Sequence, residues 1–136
     1  MTLAITPLYA GLIGVLFVML SLRVSSRRIS AKVTTGDGDD KALFKRIRVQ
    51  ANCAEYAPIG LLLLAMAELQ GAPIWGVHLL GLMLLAGRVM HAAGYGSTPQ
   101  RVPLRRIGMM LTYLMLLLAS LANIGQAVFQ TAPTSI

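Results

Sequence analysis

Arg48, Asn52, Glu55 and Tyr56 fall together in the run RVQANCAEY, where a long apolar segment begins. The spacing i, i+4, i+7 puts Arg48, Asn52 and Glu55 within about 60° of one face of an α-helix. An ionisable group inside a membrane span costs roughly 2.5–3.5 kcal/mol on insertion scales, so it usually faces a partner or a cavity. A stripe of guanidinium, amide and carboxylate there suits a polar ligand held at the membrane boundary. More polar chemistry sits at matching positions of the other apolar runs. Arg23, Arg27 and Arg28 end the first run, and Gln50 lies inside the motif. Arg88, His91 and Tyr95 follow i, i+3, i+7 on the third, and Arg105, Arg106 and Tyr113 lie in the early part of the fourth. Guanidinium forks take carboxylates bidentately, and Glu55 can take an ammonium group. A small peptide with two carboxylates and one amine fits that inventory.

The elements that must position these groups are membrane helices. The 136 residues are 56% hydrophobic and 12% charged, whereas soluble domains carry about 25% charged residues. Residues 3–22 contain no charge, enough to cross a hydrocarbon core of about 30 Å. Residues 107–136 contain none either. With two shorter apolar runs, 56–67 and 74–87, the chain reads as one all-α domain over residues 1–136. The expected helices are about residues 2–28, 41–69, 74–94 and 104–129, joined by the polar stretch TTGDGDD, the tight turn GAP and a second polar loop near residues 96–103. Short polar connections imply an up-down-up-down antiparallel bundle. Pro58 removes one backbone donor and crowds the carbonyl of Ala54, so a kink or local loosening is expected there. Nothing is left over for a soluble catalytic domain, and a pocket built between subunits is the natural enclosure.

Eight of the twelve Lys and Arg lie from Arg23 to Arg48, and Arg101, Arg105 and Arg106 flank the third loop. The positive-inside rule then puts loops 1 and 3 in the cytoplasm and both termini outside, with a bacterial inner membrane as the expected location. The net charge of +7 arises from this clustering and calls for no nucleic-acid partner. Residues at the cytoplasmic border of all four helices are expected to converge on one site. Arg23, Arg28, Lys32, Lys41 and Lys45 read instead as cations that snorkel or meet membrane lipids.

Other features carry less. The first run lacks a basic leader and a small-x-small cleavage site, so it reads as a retained span. Cys53 points about 160° from Glu55 on a helix and reads as inert packing. Asp37, Asp39 and Asp40 lack the closing glutamate of a calcium loop and read as a solvated turn. His78 and His91 have no neighbouring ligands at metal-site spacing, so no metal is expected.

The strings RVQANCAEYAP and GRVMHAAGY, followed by an arginine-headed last helix, closely resemble the MAPEG family, the membrane-associated proteins in eicosanoid and glutathione metabolism. The resemblance runs from SLRVSSRR to RRIGMMLTYL. It implies a homotrimer of four-helix protomers, with a glutathione site at each subunit interface opening to the cytoplasmic side. By this resemblance Arg48, Asn52, Glu55 and Tyr56 hold the γ-glutamyl end of glutathione. Gln50 and Arg27 lie near the glycyl carboxylate, and Arg88 and Tyr95 supply contacts from the third helix. His91 stands where leukotriene-forming members have a tyrosine. Their thiolate-stabilising arginine falls at Val102, so that role passes to Arg101 first and Arg105 second.

The expected activity is a glutathione transferase or glutathione-dependent peroxidase, its thiolate attacking a lipophilic electrophile or lipid hydroperoxide. A guanidinium lowers a thiol pKa of about 8.5 by a unit or more, which raises the nucleophile's concentration. Two rivals use the same residues. One is a non-catalytic protein binding a lipid or small metabolite in the same inter-subunit cavity. The other is a compact exporter dependent on Glu55, disfavoured because Glu55 shares its face with a cation and an amide and lies near one surface.

Overall fold

The computed structural model describes residues 2–130 and contains four helices: α1 (Thr6–Ala31), α2 (Lys41–Leu69), α3 (Ile74–Gly96) and α4 (Val102–Gln130). All four are long and apolar enough to cross a membrane. No strand occurs among the described residues. α1 starts at Thr6 rather than near residue 2 because Pro7 must sit in the first turn, where its missing N–H costs nothing. The same reason places the α4 start at Val102, with Pro103 in its opening turn. α3 runs on to Gly96 rather than ending near residue 94. α2 keeps the expected bounds and remains helical through Pro58.

α2 and α3 pack on each other and both touch α1; α4 packs on α2 and α3. Among the described residues α1 and α4 do not meet. The cross-links fix an antiparallel order. Lys45 Nζ, early in α2, donates to the Ser97 carbonyl beyond α3 at 2.9 Å. At the other end, Glu68 of α2 reaches the start of α1.

The α3–α4 seam is the closest in the bundle. A Cβ on Gly87 would meet the Gly108 carbonyl at 2.9 Å, and one on Gly108 would meet the Gly87 carbonyl at 2.7 Å. A Cβ on Gly94 would strike the Arg105 amide nitrogen and come within 3.0 Å of the Arg101 carbonyl. Within a bilayer, where lipid tails are as apolar as leucine, small residues that let backbones approach are a main source of helix association. Leu64, Val77, Leu84, Met115 and Ala119 fill the interior between α2, α3 and α4. Outside, α1 and α4 present continuous apolar surface, including Leu12, Val15, Val18, Leu117, Leu121 and Ile124.

Both helix starts near α1 and α2 are capped by acids, one local and one distant. Asp40 accepts from the Leu43 amide at 2.8 Å and pairs with Arg27 at 2.6 Å. That hydrogen bond from Arg27, with the Leu43 amide, holds the Asp40 carboxyl below the ordinary carboxylate range. Ile5 gives α1 no side-chain cap, and Glu68 takes its place. One Glu68 oxygen accepts from Ala4 and Ile5 at 2.8 and 2.7 Å, and the other accepts from Thr6 at 2.7 Å. A carboxylate at a helix N-terminus also meets the positive end of the helix dipole.

Candidate functional site

α2 divides its polar stripe between two directions. Its buried residues, Val49, Cys53, Ala57, Gly60 and Leu64, mark the inward face. Asn52 and Tyr56 lie at the edge of that face toward α3 and α4, whereas Arg48 and Glu55 point out of the protomer and are exposed. A single chain therefore does not gather all the border residues into one pocket. It collects an inner group around Arg88 and leaves an outer pair on its surface.

Arg88 is the centre of the inner group and only 2% exposed. Its Nη1 donates to the Asn52 side-chain oxygen in a very short bond. Nε and Nη2 both donate to Thr112 Oγ1, at 3.2 and 2.8 Å, and Nη2 also meets Met109 Sδ at 3.2 Å. The Thr112 hydroxyl in turn donates to the Gly108 carbonyl at 2.9 Å. The guanidinium carbon stands 5.2 Å from the centroid of the Tyr56 ring, within cation–π range. Among the described residues no carboxylate touches it; amide, hydroxyl, sulfur and ring share the charge. The Tyr56 hydroxyl lies 3.3 Å from that of Tyr113, the rings meeting edge to face at 5.7 Å.

A second group caps the α3–α4 end of the bundle. His91 is 4% exposed and stacks on Tyr95 at 5.8 Å. Arg105 covers the Tyr95 ring at 4.4 Å. The Arg101 backbone amide is tied to the Gly94 carbonyl at 3.0 Å, but its side chain is exposed, with no bond among the described residues.

The remaining expected site residues are elsewhere. Arg27 is paired with Asp40, and Gln50 donates to Ser21 Oγ at 3.4 Å. Arg48 and Glu55 form no ion pair with each other, since Arg27–Asp40 is the single salt bridge among the described residues. A separation of seven residues places their Cα atoms about 10 Å apart along the axis. Cys53 is buried beside an apolar groove between α1 and α2, lined by Ala10, Gly14, Ala57 and Pro58. No group of three or more metal-ligating side chains occurs among the described residues.

Thr112 and Met109 escape sequence reasoning as Arg88 partners. Nothing in the uncharged apolar stretch of α4 beyond Arg106 marks them, apart from the i, i+4 relation of Gly108 to Thr112.

Residues 6–125 match the MAPEG family. The chain belongs to that family. Two curated relatives, both called inner membrane protein YecN, come from Escherichia coli strains K12 and O6:H1. Each is 40% identical over 120 residues, covering 88% of this chain and 90% of the relative. The motif residues thus belong to a MAPEG membrane protein, with Arg88, Asn52 and Tyr56 forming its interior polar centre.

Proposed function

We propose that this MAPEG protein binds glutathione at its basic end, between protomers of a homotrimer, and activates the thiol against lipophilic substrates. The observation that carries this reading is the divided α2 stripe. Asn52 and Tyr56 are locked onto a buried arginine, while Arg48 and Glu55 stand exposed on the outer flank of the same stripe, without an ion-pair partner among the described residues. Ionic groups are expensive in a membrane span. A neighbouring protomer and a ligand with carboxylate and ammonium groups would satisfy both. The concentration of cations at this end, with the YecN relatives' description, supports an inner-membrane protein whose loops 1 and 3 are cytoplasmic and whose termini are outside.

In this reading Arg48 and Glu55 take the carboxylate and ammonium of the γ-glutamyl end. Arg88 fixes Asn52 and Tyr56 behind them. Arg101, whose guanidinium is not engaged among the described residues, stabilises the thiolate; Arg105, committed to the Tyr95 ring, ranks second. With an aryl halide, a sulfur–carbon bond forms as the carbon–halogen bond breaks and halide leaves. With a hydroperoxide, sulfur attacks the distal oxygen, the O–O bond breaks and the alkoxide takes up a proton. A second glutathione then converts the sulfenic acid to disulfide and water.

The test is titration of purified protein with glutathione, following ultraviolet thiolate absorbance, binding heat and turnover. Expected are saturable binding, a thiolate band and glutathione-dependent loss of substrate. Absence of binding rejects the reading. Binding without thiolate or turnover leaves a non-catalytic binding protein.

A further inference from the structure

Arg23, Lys41 and Lys45, which the sequence assigns to separate contacts with lipid, do not stand apart in the fold. With Arg46 they line one cleft of about 460 Å³ at the basic end, together with Gly96 and Thr98 from the end of α3 and the loop after it. No acidic side chain lines this cleft. Asp40, next to Lys41 in the chain, is occupied by Arg27 and by the Leu43 amide. Two of the four cations are held in place by neutral groups. Lys45 Nζ donates to the Ser97 carbonyl at 2.9 Å and to Thr98 Oγ1 at 3.2 Å, which leaves one of its three N–H groups over. Arg46 Nη1 donates to the Arg23 carbonyl at 2.8 Å, tying the early part of α2 to α1. The Arg23 fork lies close over the end of α3, where a Cβ on Gly96 would come within 3.6 Å of its Nη1. Neither the Arg23 guanidinium nor the Lys41 ammonium forms an ion pair among the described residues.

Like charges gathered without a counter-ion repel one another, and an anion seated among them turns that cost into attraction. A carboxylate is satisfied by a single guanidinium fork. A phosphate monoester dianion brings two charges, and oxygens enough for two forks and two ammonium groups. We propose that this cleft is a phosphate site, with Lys45 and Arg46 as its fixed arms and Arg23 and Lys41 as its free ones. The ligand is a phosphate monoester, carried either by an anionic phospholipid headgroup or by a soluble phosphate. None of the four cations is among the residues assigned to glutathione, so this site stands independently of the proposed function.

The experiment is calorimetric titration of the full chain in detergent, at fixed ionic strength and without glutathione. The probes are inorganic phosphate and, in mixed micelles, phosphatidic acid or phosphatidylcholine. The double variant Arg23→Gln with Lys41→Gln removes both free arms and breaks no side-chain bond that holds the bundle. Wild type should bind phosphatidic acid or inorganic phosphate, and the double variant should bind about tenfold more weakly. Arg23→Gln alone should give about a threefold loss. The unliganded thermal midpoint of both variants should equal or exceed that of wild type, since repulsion is relieved, which separates lost binding from lost folding. Saturation by phosphatidic acid alone assigns the site to a lipid headgroup. Saturation by inorganic phosphate assigns it to the phosphate group itself, free or esterified. Equal affinities of wild type and both variants, no binding of either phosphate probe, or phosphatidylcholine bound as tightly as phosphatidic acid overturns the proposal.

Discussion

The two ends of the bundle treat their polar groups in opposite ways. Near the termini most strongly polar helix residues are used by the chain itself, the buried Gln126 Oε1 being an exception among the described residues. Glu68 closes the start of α1, and the Tyr9 hydroxyl lies 3.1 Å from both His78 Nδ1 and the His78 carbonyl. Asn123 takes a bond from Gln70 at 2.6 Å and donates to the Leu63 and Ala119 carbonyls. At the basic end Arg48, Glu55 and Arg101 are left exposed. The first end therefore reads as joinery and the second as a surface awaiting a counterpart.

Four measurements put that contrast at risk. The largest effect should erase it: Gly94→Leu drives a side chain into the α4 backbone, costing about 3 kcal/mol or more, and both ends should fail together as loss of folded protein on size exclusion. Glu68→Ala should lower stability by about 1–2 kcal/mol, read as an earlier thermal midpoint, with glutathione affinity unchanged. Arg48→Ala should do the reverse, weakening glutathione about tenfold by calorimetry while the midpoint stays put. A midpoint shift as large as that of Glu68→Ala would reassign Arg48 to structure. The smallest effect concerns acid. Because the Asp40 pKa is depressed in the folded protein, its contribution is present above the unfolded value of about 3.9 and is lost as pH falls through the folded value. The midpoint should decline slightly below about pH 4, and this component should be missing in Asp40→Asn.

Much of the fold was legible because apolar runs and basic loops are strong, additive signals. The bounds of α2 follow from the TTGDGDD and GAP breaks on either side of it. The start of α1 was missed by reading hydropathy alone, which ignores the one position Pro7 tolerates. The candidate site was legible as a face but not as two halves. Periodicity puts Arg48, Asn52 and Glu55 in one stripe, yet which flank turns inward depends on where α3 and α4 pack. That packing is set by glycines 87, 94 and 108, whose role is to be absent as side chains. Arg88 was visible, but its neutral partners were not, since a charge spread over Asn52, Thr112 and Tyr56 leaves no complementary charge in the string.

The interlocking glycines of α3 and α4 have a mechanical corollary. With peptide planes pressed together and Arg88 pinned to Thr112 across them, these two rods behave as a single stiff slab. Relative movement is then confined to the seams where α1 and α2 lean on that slab, and at the second of these the Arg88–Asn52 bond is the one to loosen first.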